Sequence, residues 1–131
     1  MELYVATKFG ARARAQRFID DAIEAGHYIT WDWTRAAENA IDDDLTIAQC
    51  AFHARRDLRG VHDAELIVFL ADDPEFCGAL IEFGYGVALG RRAWVVNPWR
   101  KSIFWYTEHV SIIDDEHTAR GLLGMKSLNG C

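Results

Sequence analysis

Short apolar runs alternate along the chain with longer segments whose apolar positions recur at helical spacing. "LYVAT" (3–7) is β-branched and aromatic and reads as a strand. A turn follows at Phe9-Gly10. From Ala11 to Ala25 the positions Ala15, Phe18, Ile19, Ala22 and Ile23 repeat every three or four residues, which predicts a helix ended by Gly26. "HYITW" (27–31) reads as a second strand, and the polar "DWTRAAENAIDDD" has no clear period and reads as a loop with room for a helical turn. Asp44 is expected to cap a second helix, with Ile47, Ala48, Ala51, Phe52 and Leu58 as its apolar stripe. "ELIVFL" (65–70) is continuously apolar, the pattern of a strand buried on both faces. After the turn "ADDPEFCG", Gly78 to Leu89 predicts a helix with Leu80, Phe83, Gly84, Val87 and Ala88 on one side, ended by Gly90. "AWVVN" and "VSII" read as a fourth and a fifth strand, and "DEHTARGLL" as a terminal helix.

Strands that alternate with helices of roughly 10–15 residues imply right-handed βαβ crossovers and a parallel sheet. The expectation is an α/β fold: one domain over residues 1–131, flavodoxin-like (Rossmann-like), with about five parallel strands and helices on both faces. Repeats and low-complexity segments are absent from the sequence. Ligands of such sheets bind in the crevice beyond the carboxyl ends of the strands, where strand order reverses. Those ends are "ATKFG", "TWDW", "LADDPEFCG" and "VNPW".

Composition narrows the partners. Of the 131 residues 50% are hydrophobic, enough for a real core. The formal charge of −6 argues against a nucleic-acid polymer or an anionic membrane as partner, although "ARARAQR" and "HARRDLR" are locally basic. Cys50, Cys77 and Cys131 are odd in number and form no CxxC pair, and the His and Cys positions lack zinc-site spacing, so no metal or other cofactor is expected. The start "MELYVATKFG" enters a strand without a charged-then-apolar leader, and no apolar run approaches ~18 residues. A cytoplasmic domain is the expectation.

One carboxylate stands out. Between Phe76 and Arg91 the chain is small or apolar except for Glu82, set between Ile81 and Phe83. Burying an ionised carboxylate is costly unless it is paired or hydrogen-bonded. A position in the first turn or so of a helix would hold it as the anion, which is the form needed to attack a sugar anomeric carbon. The plainer reading is a glutamate that only satisfies the helix end.

The stretch "CGALIEFGYGVALGRRAWVV" resembles the nucleoside 2-deoxyribosyltransferase family, with Gly78, Glu82, Gly84, Tyr85, Ala88 and Gly90 in the register of its glutamate motif. Gly86 stands where the family has alanine, and Arg91 where it has lysine. "RRDLRGVHDAELIVFLAD" looks like the family's aspartate segment and puts Asp57 on its active-site aspartate. "LYVATKF" looks like its first strand, with Tyr4 on the tyrosine that contacts the catalytic carboxylate and Phe9 near the base-stacking aromatic. The resemblance spans roughly residues 2 to 100 and implies an enzyme that cleaves the N-glycosidic bond of 2-deoxynucleosides. Glu82 would attack C1′ to give a glycosyl-enzyme ester, Tyr4 would orient it, and Asp57 or a carboxylate in "ADDPE" would help the departing base acquire a proton. A second base, or water, would then take the sugar. The resemblance also implies a homo-oligomer, a dimer or larger even assembly, whose neighbouring subunits complete each pocket.

One departure bears on the substrate. Six residues before Glu82, where the family's transferases carry an aspartate and the 5′-monophosphate N-hydrolases of the superfamily a serine, stands Phe76. Asp72, Asp73 or Glu75 is a substitute through a shifted loop. The substrate-binding candidates are Lys8, Phe9, Asp72, Phe76 and Gly78, beside catalytic Glu82, Tyr4 and Asp57. Each has a plainer alternative: a solvated ion pair for Asp57, a core aromatic for Tyr4, a solvated helix face for Lys8, Arg12 and Arg14. Besides transfer, two readings stay open: a (deoxy)nucleoside 5′-monophosphate N-hydrolase, and a non-catalytic nucleotide-sensing module. "TKFG" and "NPWR" do not fit a phosphoryl receiver, and "ATKFGARAR" makes a poor flavin phosphate loop.

Overall fold

The computed structural model describes residues 1–36, 44–75 and 77–128. Five strands, β1 (Glu2–Ala6), β2 (Tyr28–Ile29), β3 (Leu66–Leu70), β4 (Arg92–Val96) and β5 (Val110–Ile113), form one sheet in the order β2-β1-β3-β4-β5. Every neighbouring pair is parallel. Strand order reverses between β1 and β3, so the crevice lies at the ends of those two strands. β3 is central and all five of its residues are buried, the reason its sequence is an unbroken apolar run.

The helices are α1 (Arg12–Glu24), α2 (Trp33–Ala36), α3 (Ile47–Asp63), α4 (Cys77–Ala88) and α5 (Glu116–Leu122). Right-handed crossovers to opposite sides of β1 put α1 and α3 on opposite faces of the sheet. Arg120 of α5 pairs with Asp21 of α1, while α3 and α4 pack together over the other face. α1 buries Ala15, Phe18, Ile19 and Ala22, as its spacing predicts, and stops at Gly26, whose φ of +96° a side chain rarely adopts. No helix among the described residues is long and apolar enough to cross a membrane.

The structure departs from the expectations at three places. The second strand is only Tyr28–Ile29: Thr30 still donates its N–H to the Leu3 carbonyl (2.9 Å), its hydroxyl donates to the Gly60 carbonyl (2.6 Å), and the chain then leaves the ladder. The segment after it forms, at Trp33–Ala36, the helical turn for which the sequence left room, and residues 37–43 lie outside the described residues. Thr46, not Asp44, caps α3, because Gln49 three residues on completes a reciprocal capping box that Asp44 cannot form.

The third departure concerns which helix faces meet the sheet. α4 turns Ala79, Glu82, Phe83 and Gly86 inward, whereas Leu80, Gly84 and Ala88 of the expected stripe face outward. A Cβ at Gly86 would collide with Cδ1 of Ile67, so glycine there lets α4 lie close on β3. In α3, Ile47, Ala48, Ala51 and Phe52 are exposed, and full burial is reached only at Gly60 and Val61. Seventeen helical residues span about 25 Å. A five-residue strand spans about 17 Å. The first half of α3 therefore overhangs the carboxyl end of the sheet, where it has no strand beneath it.

Candidate active site

Glu82 belongs to the stripe of α4 that packs on the sheet, which removes its carboxylate from water. Tyr4, fully buried in β1, donates its hydroxyl hydrogen bond to Oε2 of Glu82. The pair forms because Tyr4 points toward the α3–α4 face and Gly60 leaves room for its ring: a Cβ at Gly60 would sit 2.9 Å from two Tyr4 ring carbons. Glu82 is the sixth residue of α4 counted from Cys77, past the free N–H groups of the first turn. The expected helix-end stabilisation of its anion therefore does not operate, since that effect fades within one turn. Burial instead pushes the Glu82 carboxyl up to about 8; the Tyr4 hydrogen bond opposes this, and the negative charge of Asp57 adds to it. Burial, and then the charges of Glu82 and Asp57, raise the Tyr4 phenol well above its ordinary value.

Asp57 comes from the second half of α3, one turn past its overhanging start. Its Oδ1 accepts the indole N–H of Trp31 (3.0 Å), just beyond β2, and the Arg56 guanidinium lies over the Trp31 ring. Asp57 and Glu82 line one cavity of about 310 Å³, closed by Leu45, Cys50, His53 and Ala54 on one side and by Gly78 and Ile81 on the other. A Cβ at Gly78 would meet nothing within 4 Å. The cavity thus has an ionisable floor, apolar walls and one histidine.

The remaining candidates gather elsewhere at the same edge of the sheet. Lys8 Nζ pairs with Asp73 (2.8 Å), and Arg14 bridges Asp72 (2.6 Å) and Glu116 (2.7 Å). The Asp73 hydrogen bond raises the Lys8 ammonium and the Lys8 hydrogen bond lowers the Asp73 carboxyl, as expected of a mutual pair. Phe9 is 38% exposed, with Trp33 beside it and Arg12 over its ring. So Tyr4, Asp57, Gly78 and Glu82 come together, whereas Lys8, Phe9 and Asp72 do not line their cavity. Phe76 lies outside the described residues.

Sequence reasoning missed His53 and the Trp31 contact. The spacing of His53, four residues before Asp57, was a signal that the two share a helix face. A larger cavity of about 740 Å³ lies on another side of α4, between Leu80, Gly84, Val87 and Ala88 and the Arg100–Trp105 segment, and no carboxylate lines it. Among the described residues no cluster of three His, Cys, Asp or Glu is placed to hold a metal ion.

No family model and no curated protein matches the chain. Among solved structures it is similar to a CMP N-glycosidase, BcmB, from Clostridium botulinum, at 16% identity and a TM-score of 0.65, over 95% of this chain and 98% of that one. It is also similar to a 2-deoxyribosyltransferase from Bacillus psychrosaccharolyticus, at 14% identity and a TM-score of 0.69, over 97% of this chain and 98% of that one. The parallel five-stranded sheet with its helices is therefore the fold of both, along nearly the whole length of each chain.

Proposed function

We propose that the protein cleaves the N-glycosidic bond of nucleosides or nucleotides, with Glu82 as nucleophile. The observation that supports this reading is the buried Glu82 carboxylate, bound by the Tyr4 hydroxyl, in one cavity with Asp57. A carboxylate stripped of water gains most from an approaching positive charge, and the sugar ring develops that charge as the base departs. An oxygen of Glu82 bonds to C1′, the C1′–N bond breaks, and an ester holds the sugar. Tyr4 keeps the carboxylate turned toward the cavity, and Asp57 faces the leaving base.

The finer reading is a 2-deoxyribosyl donor whose sugar passes to a second nucleobase or to water. Lys8 and Arg14 each carry an aspartate partner, which leaves them less available to a 5′-phosphate and favours the free nucleoside. The alternative, hydrolysis of a 5′-monophosphate, is favoured by the likeness to a CMP N-glycosidase. With phenylalanine at position 76, where the resembling transferases have aspartate, appreciable hydrolysis beside transfer is expected, and Phe76→Asp should raise the ratio of exchanged nucleoside to free sugar. A homo-oligomer belongs to the same reading: Leu80, Trp99, Ile103 and Phe104 are large, apolar and exposed.

The test is incubation with each 2′-deoxynucleoside and each 5′-monophosphate, with and without a second base, followed by chromatography. Free base without acceptor and exchanged nucleoside with acceptor are the expected products. Binding without any base release would leave a nucleotide-sensing module and overturn the enzymatic reading.

A further inference from the structure

We propose that His53 is the proton donor to the departing nucleobase, an inference that rests on the glycosidic reading of the site. His53 lines the cavity of Glu82 and Asp57, stands one turn before Asp57 on α3, and is half-buried. Its ring is held edge-on to Phe52 (5.4 Å between centroids), and neither nitrogen has a hydrogen-bond partner among the described residues.

A nucleobase leaves poorly as an anion, so the reaction needs a proton at a base nitrogen or at a carbonyl conjugated to it. The other groups of the cavity are ill suited to supply one. Glu82 must be ionised to attack. Asp57 accepts the Trp31 N–H at Oδ1, a hydrogen bond that favours its carboxylate form, which is an acceptor. Tyr4 commits its hydrogen to Glu82, and its raised phenol does not release it. Cys50 is a thiol, a weak acid. Histidine is the side chain built to carry a proton in and out near neutrality.

The step balances. As the Glu82 oxygen bonds to C1′, the C1′–N pair goes to the base, the imidazolium N–H of His53 passes its proton to that base, and neutral imidazole remains. In the second half, the imidazole takes a proton from the incoming base or water as the ester opens. Imidazolium and carboxylate are thereby restored.

The experiment compares His53→Gln with wild type on two substrates: the natural nucleoside or nucleotide that it turns over best, and 7-methyl-2′-deoxyguanosine. The methylated base is already cationic and leaves without a proton. The expected result is a loss of about 10²- to 10⁴-fold in kcat on the natural substrate. Turnover of the methylated one should change by no more than roughly threefold, because no proton donor acts there. His53→Asn should repeat the pattern, with the far-ultraviolet spectrum unchanged. An equal fall on both substrates, or no fall on the natural one, overturns the role of His53 alone. A wild type that releases base from neither substrate overturns the glycosidic reading, and this inference with it.

Discussion

In the proposed reaction Glu82 meets two opposed demands. It must be buried to make its charge effective, and burial pushes its carboxyl up to about 8, so in the free protein it is largely protonated at neutral pH. Glu82→Gln keeps volume and packing but removes the proposed nucleophile, so turnover should fall by several decades; retention of more than about a tenth would contradict the assignment. The same substitution has a stability signature. The folded value lies above the ordinary 4.5, so the unfolded chain releases this proton first and stability falls as pH rises. The contribution is present below about pH 4.5 and is lost between there and about 8, with a slope of roughly 1.4 kcal/mol for each pH unit. Thermal unfolding should therefore show Glu82→Gln gaining on the wild type between about pH 5 and pH 8. Parallel curves across that range would mean that the wild-type carboxyl is not raised.

Helix approach sets the geometry of the cavity, and glycines set the approach. At Gly60 a Cβ would lie 2.7 Å from Cβ of Trp31 and 2.9 Å from the Tyr4 ring, so a methyl group must push α3 away from both. Gly60→Ala is predicted to cost about 1–3 kcal/mol of stability, as overpacking does. It should also lower kcat, since Trp31 holds Asp57 and Tyr4 holds Glu82. Denaturant melts and steady-state rates check the two effects; full activity in a destabilised variant would uncouple the α3 contact from catalysis. The overhang of α3 belongs to the same scale. A helix longer than its strands supplies one wall of the cavity from its start and middle, and its unsupported start spends few of its apolar residues on the core.

Across the molecule an ionic chain runs from Asp21 through Arg120, Glu116 and Arg14 to Asp72, joining α1, α5 and the segment that leads into α4. Arg120 is 1% exposed, so Arg120→Ala would strand Glu116 and Asp21 beside a cavity and should cost about 3–5 kcal/mol, read by denaturant melts. A loss below about 1 kcal/mol would mean that the chain of charges is incidental. The Arg120 hydrogen bond lowers the Asp21 carboxyl below its ordinary 3.8. Its contribution is thus present above 3.8 and is lost as pH falls through the depressed folded value. Assembly is the last property at this scale. The exposed apolar residues around the larger cavity predict a dimer or larger even oligomer in light scattering at micromolar concentration, and a fully active monomer would refute it.

The strand runs, the helix segments and the parallel order of the sheet were legible in the sequence, because a strand buried on both faces has to be apolar throughout and βαβ crossovers have one hand. Glu82 was legible for a related reason: a lone carboxylate in an apolar helix has to be explained. Which faces the helices turn inward was not. α4 is apolar nearly all round, so periodicity could not choose between Leu80 and Glu82 for the sheet; the close fit of Gly86 on Ile67 decides it. The apolar stripe of α3 misled because periodicity does not know where a helix outruns its sheet. The meetings of Tyr4 with Glu82, of Trp31 with Asp57 and of His53 with both carboxylates in one cavity join segments up to 78 residues apart. Only packing brings such segments together.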